Sequence, residues 1–372
     1  MFSEAILTYL IAAALLGHAQ AAPAPQPGCR EMKFSIHATA DTIDMPPLPT
    51  LNSADDVLNY FIGLPEILAT AGHKTTASVY KIATTYCPPS DGIANKVQLL
   101  NHGGTYTKEY WMGGAWGGAD VYSWTKFANE HGFATLSVDQ LGNGDSEHPD
   151  PLQEAQLIME VEILKFLAQK IKDGDITGAP SEVIFVGHAL GSVTGSMLAA
   201  AYPNTVDKLV LTSYSNDFSN ITANVVAGQY TPASIVDPTR FGKLPPGYLT
   251  QPSVSARGGP FYSGDFDQGL LQLDFDTKGT LALGEVLNLT PIPLPNYTGP
   301  VFLLTGDEDK LFCGSNPHVP CQSVVRDSAS LFPSARNFGF FVPKKTGVVL
   351  NFHQSAPKSF DAVTDWLLHA SN

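Results

Sequence analysis

The stretch Val183-Ile-Phe-Val-Gly187-His188-Ala189-Leu190-Gly191-Ser192 limits the fold of this chain more than any other. A short β-branched apolar run at 183–187 reads as a buried strand, and the Ala-rich segment at 189–202 reads as a helix. Between them is a turn centred on Ala189, with glycines two residues before and two after. Similar apolar runs occur at 97–101, 135–139, 208–212, 301–305 and 338–342. They alternate with helix-like segments at 120–131, 152–172, 321–331 and 355–369. Such alternation predicts an α/β fold, a mostly parallel sheet with helices on both faces. Residues 32–37 and 76–84 read as added antiparallel strands. The stretch 215–298 breaks the rhythm. It is rich in Gly, Pro, Ser and Asp, carries a helix-like piece near 268–287, and reads as a cap inserted between core segments 32–214 and 299–372.

With 44% apolar and 15% charged residues, the chain has enough apolar material for a large core and is not of disordered composition. Acidic residues outnumber basic ones 35 to 21, for a net charge of −14. Nucleic acid and anionic membrane surfaces are therefore poor partners, since both require clustered Lys and Arg. Residues 5–16 form an apolar run too short to span a bilayer, and Ala19-Gln20-Ala21 offers a cleavage site. The expectation is a signal peptide at 1–21, a linker at 22–31 and a secreted, extracellular protein with no membrane span.

The 4 cysteines allow three pairings. Cys313 and Cys321 would close a small loop, so the expected pairs are Cys29–Cys87 and Cys313–Cys321. There is no C-x-x-C pattern to suggest zinc or redox chemistry. Three N-x-[ST] sequons, at Asn220, Asn288 and Asn296, are candidate glycosylation sites within the cap. A metal at Glu147-His148 is not expected from one His beside loop carboxylates. Gly142-Asn143-Gly144 is too short for a nucleotide motif, so no cofactor is expected.

A strand, a tight turn flanked by small residues and a helix make up the nucleophile elbow of the α/β-hydrolase superfamily, which this chain resembles over roughly 95–215 and 300–370. It is particularly similar to a group of secreted fungal members. The elbow resembles G-H-S-L-G-S with Ala189 in place of the nucleophilic Ser. Leu100-Asn101-His102-Gly103-Gly104-Thr105-Tyr106, followed by Tyr110-Trp111, resembles the oxyanion-loop region. GFATLSVDQLGNGDSEHPDP, from Gly132 to Pro151, resembles the group's D-R-L-G-x-G-x-S-x-H-P-D-P block, with Gln140 in place of Arg.

The resemblance implies an oxyanion hole at the backbone N–H groups of Gly104 and Leu190, and an acid at Asp309 in Gly306-Asp307-Glu308-Asp309. Asp217 is the runner-up acid. The loop Thr346-Gly347-Val348-Val349-Leu350-Asn351-Phe352-His353 resembles T-G-H-G-L-N-L-H, whose first His is the base. That position is Val348, and His353 matches the second His. Two readings follow: the base is lost at Val348, or His353 serves as base. Ser192, one turn into the helix, is expected to pack against the sheet.

Without a nucleophile, Ser-dependent hydrolysis loses a factor on the order of 10⁴–10⁶. The primary expectation is non-covalent chemistry on a small apolar metabolite, such as an ester, lactone or polyketide, at the retained oxyanion hole. One alternative is a ligand-binding pseudo-hydrolase. The other is a carboxylesterase or lactonase inactivated by a Ser-to-Ala change. The expected pocket walls are His102, Tyr106, Tyr110, Trp111, His188 and His353.

Overall fold

A strand that is apolar at every position buries both of its faces, because successive side chains point to opposite sides. In 183–186 this sends Val183 and Phe185 into one hydrophobic cluster and Ile184 and Val186 into another. Leu209 and Leu211 against Val210, and Leu303 against Phe302 and Leu304, divide in the same way. The two clusters are the two cores of a sheet covered on both sides.

The computed structural model describes residues 28–115, 120–287, 289–313, 316 and 318–370. The first part of the core runs β1 (Arg30–Asp44), α1 (Ala54–Leu68), β2 (Gly72–Cys87), β3 (Lys96–Asn101), α2 (Trp124–Glu130), β4 (Ala134–Val138), α3 (Leu157–Lys172), β5 (Glu182–His188), α4 (Leu190–Ala201) and β6 (Lys208–Thr212). The chain then forms α5 (Ile221–Gly228), β7 (Thr231–Pro232), α6 (Ala233–Val236), α7 (Pro238–Phe241), β8 (Tyr248–Thr250), α8 (Val254–Phe261), α9 (Gln268–Thr277) and β9 (Leu281–Ala282). It returns through β10 (Val301–Leu304), α10 (Cys321–Asp327), β11 (Phe338–Phe341) and α11 (Ala356–His369).

The main sheet has 8 strands in the order β1-β2-β4-β3-β5-β6-β10-β11. β1, β2 and β4 pair antiparallel, and the other pairings are parallel. From β3 the chain steps outward to β4, then crosses back to β5 on the other side. The carboxyl ends of β3 and β5 therefore flank a topological switch point, where open α/β sheets place their ligands. The loop after β3 and the turn after β5 are the His102–Gly104 loop and the Ala189 turn.

Several expected boundaries are corrected. β1 and β2 extend well beyond 32–37 and 76–84, because Thr, Ser and charged residues alternate with apolar ones along a two-stranded ribbon with one exposed face. α3 starts at Leu157 rather than 152, since Asp150 Oδ1 takes the N–H groups of Leu152 and Gln153 in a turn. The segment 120–131 divides at Ser123, whose hydroxyl accepts from Lys126 N–H and caps α2. The piece near 268–287 is α-helical only as far as Thr277; β9 then joins β7 and β8 in a small antiparallel sheet, and a short 3-10 helix follows at Leu283–Val286. α1 was not expected at all.

Both cysteine pairs form as expected, Cys29 with Cys87 and Cys313 with Cys321. Asn296 is exposed, Asn220 is partly buried, and Asn288 lies outside the described residues, as does the signal peptide expected at 1–21. No helix among the described residues is long and apolar enough to cross a membrane.

Candidate active site

The elbow is formed, and only small residues fit around it. A Cβ on Gly187 would stand 2.6 Å from the Gly191 carbonyl oxygen, and one on Gly191 would stand 2.2 Å from that of Asn101. The helix start, the end of β5 and the end of β3 therefore touch backbone to backbone. Ala189 holds φ 48° and ψ −110°, a conformation costing an L-residue about 1–3 kcal/mol. The strained turn thus centres on a side chain with no nucleophilic atom. Ser192 Oγ donates to the Thr212 carbonyl at 2.8 Å, which holds it against the sheet as the sequence suggested.

The loop after β3 lies against this turn. A Cβ on Gly103 would stand 3.4 Å from Ala189 Cβ. Among the described residues no acceptor is recorded for the N–H of Gly104 or Leu190, while neighbouring Thr105 N–H donates to Thr280 at 2.9 Å and Ser192 N–H to Ala189 at 2.9 Å. Both free amides belong to residues that line the same cavity.

That cavity has a volume of ≈ 470 Å³, within the usual range for small-molecule sites. Ala189, Gly103, Gly104 and His188 form its floor. Phe61, Leu64 and Leu68 of α1 form one wall. Ile221 and Val225 of α5, with Tyr230, Leu281 and Leu287, close it from the segment between β6 and β10. Its walls are mainly apolar.

Of the six expected wall residues, Tyr106 and His188 line the cavity, whereas His102, Tyr110, Trp111 and His353 do not. His102 is buried beneath the loop, its Nδ1 on the Gly103 carbonyl at 2.8 Å and its Nε2 accepting from Gln140 N–H at 3.1 Å. Burial holds it neutral, its pKa pushed down to about 4. Tyr110 stacks behind His188, and Trp111 packs edge-on against Tyr110 and Trp124. The α1 wall was missed, although Ser53 followed by Val57, Tyr60, Phe61 and Leu64 is a legible cap and apolar face.

Val348 lines the cavity with Ala189; His353 does not. The reason is local. The His353 ring is held by backbone: Nδ1–H donates to the Val349 carbonyl (2.8 Å), Nε2 accepts from Gly347 N–H (3.0 Å), and the Ser263 carbonyl lies 2.8 Å from Nε2. It also stacks on Tyr262, and its backbone bridges Phe266. These contacts fasten the segment after α8 to the loop before α11 and leave no ring nitrogen for Ala189.

Asp309 is buried after β10. Its Oδ2 accepts from Ser213 Oγ at 2.5 Å, and its Oδ1 accepts from the N–H groups of Leu311 and Phe312, each at 2.8 Å. Burial raises its pKa, and these donors oppose the rise. The loop carrying it docks on the Val348 loop, with Glu308 N–H donating to the Thr346 carbonyl at 3.0 Å. Asp217 instead caps its own turn, accepting from Ser219 N–H.

The roof is pinned by a buried network that the sequence did not reveal. Arg257 of α8 forks onto Asp274 of α9 at 2.7 and 3.0 Å and donates to Thr105 Oγ1 at 2.6 Å. The hydroxyls of Tyr106 and Tyr262 also donate to Asp274. The Tyr106 hydroxyl is thereby turned toward this network. Among the described residues no cluster of three or more His, Cys, Asp or Glu could hold a metal.

No curated protein matches the sequence. Solved structures match in fold. An epoxide hydrolase from Vigna radiata is 16% identical with a TM-score of 0.52, covering 78% of this chain and 94% of its own. A protein from Rickettsia typhi known as a putative hydrolase is 13% identical with a TM-score of 0.52, over 92% and 100%. A bromoperoxidase from Bacillus anthracis is 15% identical with a TM-score of 0.51, over 78% and 96%. At these identities the likeness is one of fold. The sequence itself matches the Alpha/beta hydrolase family over residues 99–358, and the chain belongs to that family.

Proposed function

We propose that this is a secreted hydrolase-fold protein that captures a small, largely apolar, carbonyl-bearing molecule and does not hydrolyse it through a serine. One observation supports the reading: Ala189 and Val348, at the positions where the resemblance puts nucleophile and base, line one cavity, whose residues Gly104 and Leu190 have free backbone N–H groups. Attack on an ester carbonyl needs a nucleophile and a group to take its proton. A carbonyl oxygen placed between the Gly104 and Leu190 amides would instead be held and polarised. Asp309 keeps the acid's position with no imidazole to orient. The two disulfides and the exposed Asn296 sequon support an extracellular setting.

A second reading, non-covalent catalysis such as elimination or isomerisation, is favoured by the strain retained at Ala189, which keeps the Leu190 N–H at the cavity floor. Both readings are tested together. The protein is expected to release no p-nitrophenol from p-nitrophenyl butyrate above the buffer rate, to resist fluorophosphonate labelling, and to bind a medium-chain methyl ketone by calorimetry. Leu64→Trp, which fills the cavity, should abolish that binding. Labelling or turnover refutes the loss of hydrolysis, and absence of ketone binding refutes capture. Mass spectrometry of the recovered ligand separates the readings, since chemical change favours catalysis.

A further inference from the structure

One edge of the main sheet is a long strand, away from the cavity. β1 (Arg30–Asp44) has 15 residues and a neighbour on one side alone, β2, whereas the opposite edge strand, β11, has 4. The register from Arg30↔Tyr86 to Asp44↔Gly72 runs without a bulge, and the strand contains no Pro or Gly. Natural sheets seldom leave such an edge open, because its unpaired N–H and C=O groups invite another chain.

The direction of its backbone groups follows from β2. Lys81 and Ala83 turn away from β1: their N–H groups donate to Glu147 Oε2 (3.0 Å) and Ser146 Oγ (2.9 Å), and their carbonyls accept from the N–H groups of Glu147 (2.8 Å) and Asp139 (3.0 Å). The ladder to β1 therefore runs through Tyr80 and Ile82, which face Ile36 and Phe34. Even-numbered residues of β1 bond to β2, and odd-numbered ones aim outward. Ile43 has the same phase, since its outward N–H and C=O are both taken by the Gln156 side chain, each at 2.9 Å. From Lys33 to Asp41 no group among the described residues does the same. Lys33, Ser35, His37, Thr39 and Asp41 are all exposed.

We propose that this edge is a homodimer interface, in which β1 pairs antiparallel with β1 of a second copy about a two-fold axis at His37. Outward groups must meet outward groups, so odd residues face odd residues. With His37 opposite its own copy, Lys33 faces Asp41, Ser35 faces Thr39 and Arg30 faces Asp44. Each odd pair exchanges two backbone hydrogen bonds. The charges select this register. Cations stand at the start of the strand and anions at its end, an order that complements itself when two copies run in opposite directions. An axis at Ile36 would set Glu31 against Asp41, and one at Ala38 would set Lys33 against Ile43. Asp41 and Asp44 also contact His73 (3.2 Å) and Lys74 (2.9 Å) of β2, but these pairs are exposed and weak, so each carboxylate is open to a second cation. On the other face, half-buried Phe34 would gain Ala40 of the second copy as a neighbour.

The experiment is sedimentation velocity of the purified protein over a dilution series through the micromolar range. A dimer that dissociates on dilution is expected. Lys33→Asp sets carboxylates face to face on both sides of the axis and should weaken dimerisation about 10-fold or more. Combining it with Asp41→Lys restores opposite charges and should restore the wild-type affinity. Cysteine crosslinking reads the register independently and decides the matter if a charge variant fails to fold. His37→Cys should join two copies under mild oxidation, since facing residues of a hydrogen-bonded pair stand about 5.5 Å apart between Cα atoms, within disulfide reach. Thr39→Cys faces Ser35 of the second copy and should stay uncrosslinked. A monomer at every concentration overturns the proposal. So does a dimer that Lys33→Asp leaves unweakened or the double change leaves unrescued, and so does crosslinking of Thr39→Cys as readily as His37→Cys.

Discussion

Rebuilding the missing chemistry tests the site most directly. The perturbation is Ala189→Ser, alone and together with Val348→His. Residues 189 and 348 line one cavity, and the Asp309 loop rests on the loop that carries Val348. Triad members act as a unit, so losing one costs nearly as much as losing all, on the order of 10⁶ in the best-studied serine hydrolase. The single variant has a hydroxyl but no base, because His353 is tied to Val349, Gly347 and Ser263. Its rate on p-nitrophenyl butyrate should stay within about 10-fold of wild type. The double variant gains a general base, worth on the order of 10²–10⁴ in rate, with buried Asp309 on the loop that docks against its own. Fluorophosphonate labelling followed by intact mass reads nucleophile activation independently of substrate fit. If Ala189→Ser alone labels as fast as the double variant, some other base reaches the elbow and the account of Val348 is wrong. A folded but inert double variant would refute the placement of Asp309.

Two further predictions concern stability. Asp274→Asn leaves the buried Arg257 charge uncompensated and should cost about 3–5 kcal/mol by urea denaturation, with ligand binding lost because the Thr105 loop loses its tether to the roof. An unchanged midpoint would refute this view of the network. Glu160 is fully buried, accepts from Leu141 N–H, and burial pushes its pKa up to about 7 from 4.5. A raised acid means the folded state holds the proton longer than the unfolded one, so this contribution is full below pH 4.5 and lost as pH rises toward 7. At about 1.4 kcal/mol per pKa unit the loss is on the order of 3 kcal/mol. Glu160→Gln should flatten the decline in thermal midpoint between pH 4.5 and about pH 7, the window set by that shift; a wild-type midpoint that rises with pH there would contradict the sign.

The parts of the fold legible in the sequence were those in which local pattern and tertiary role coincide. Runs such as 183–187 and 208–212 are apolar throughout because a parallel sheet buries both faces, so composition alone marked them. Gly187 and Gly191 marked the turn because no side chain fits there. β1, β2 and α1 were less visible, since each has an exposed face whose polar residues dilute the signal. In the segment between β6 and β10, two- and three-residue strands are set by distant partners, Thr231 by Thr250 and Tyr248 by Ala282, which no local window contains.

The sequence by itself determined what the site lacks. Ala189 has no nucleophilic atom, and no arrangement of the chain can supply one at that position. It also left two candidate base positions, because spacing orders residues along a loop without stating which way a ring faces. Tertiary structure places the two residues in different surroundings. His353 Nδ1 is held by the Val349 carbonyl of its own loop and Nε2 by Gly347 N–H beside the Ser263 carbonyl after α8, whereas Val348 lines the cavity. The same holds for His188, whose place in the turn was readable. Its ring meets a hydroxyl 24 residues away on the neighbouring strand, Thr212 Oγ1. Chemistry that follows from an absent atom can be read in one dimension, whereas a hydrogen bond's direction is set by groups that meet only on folding.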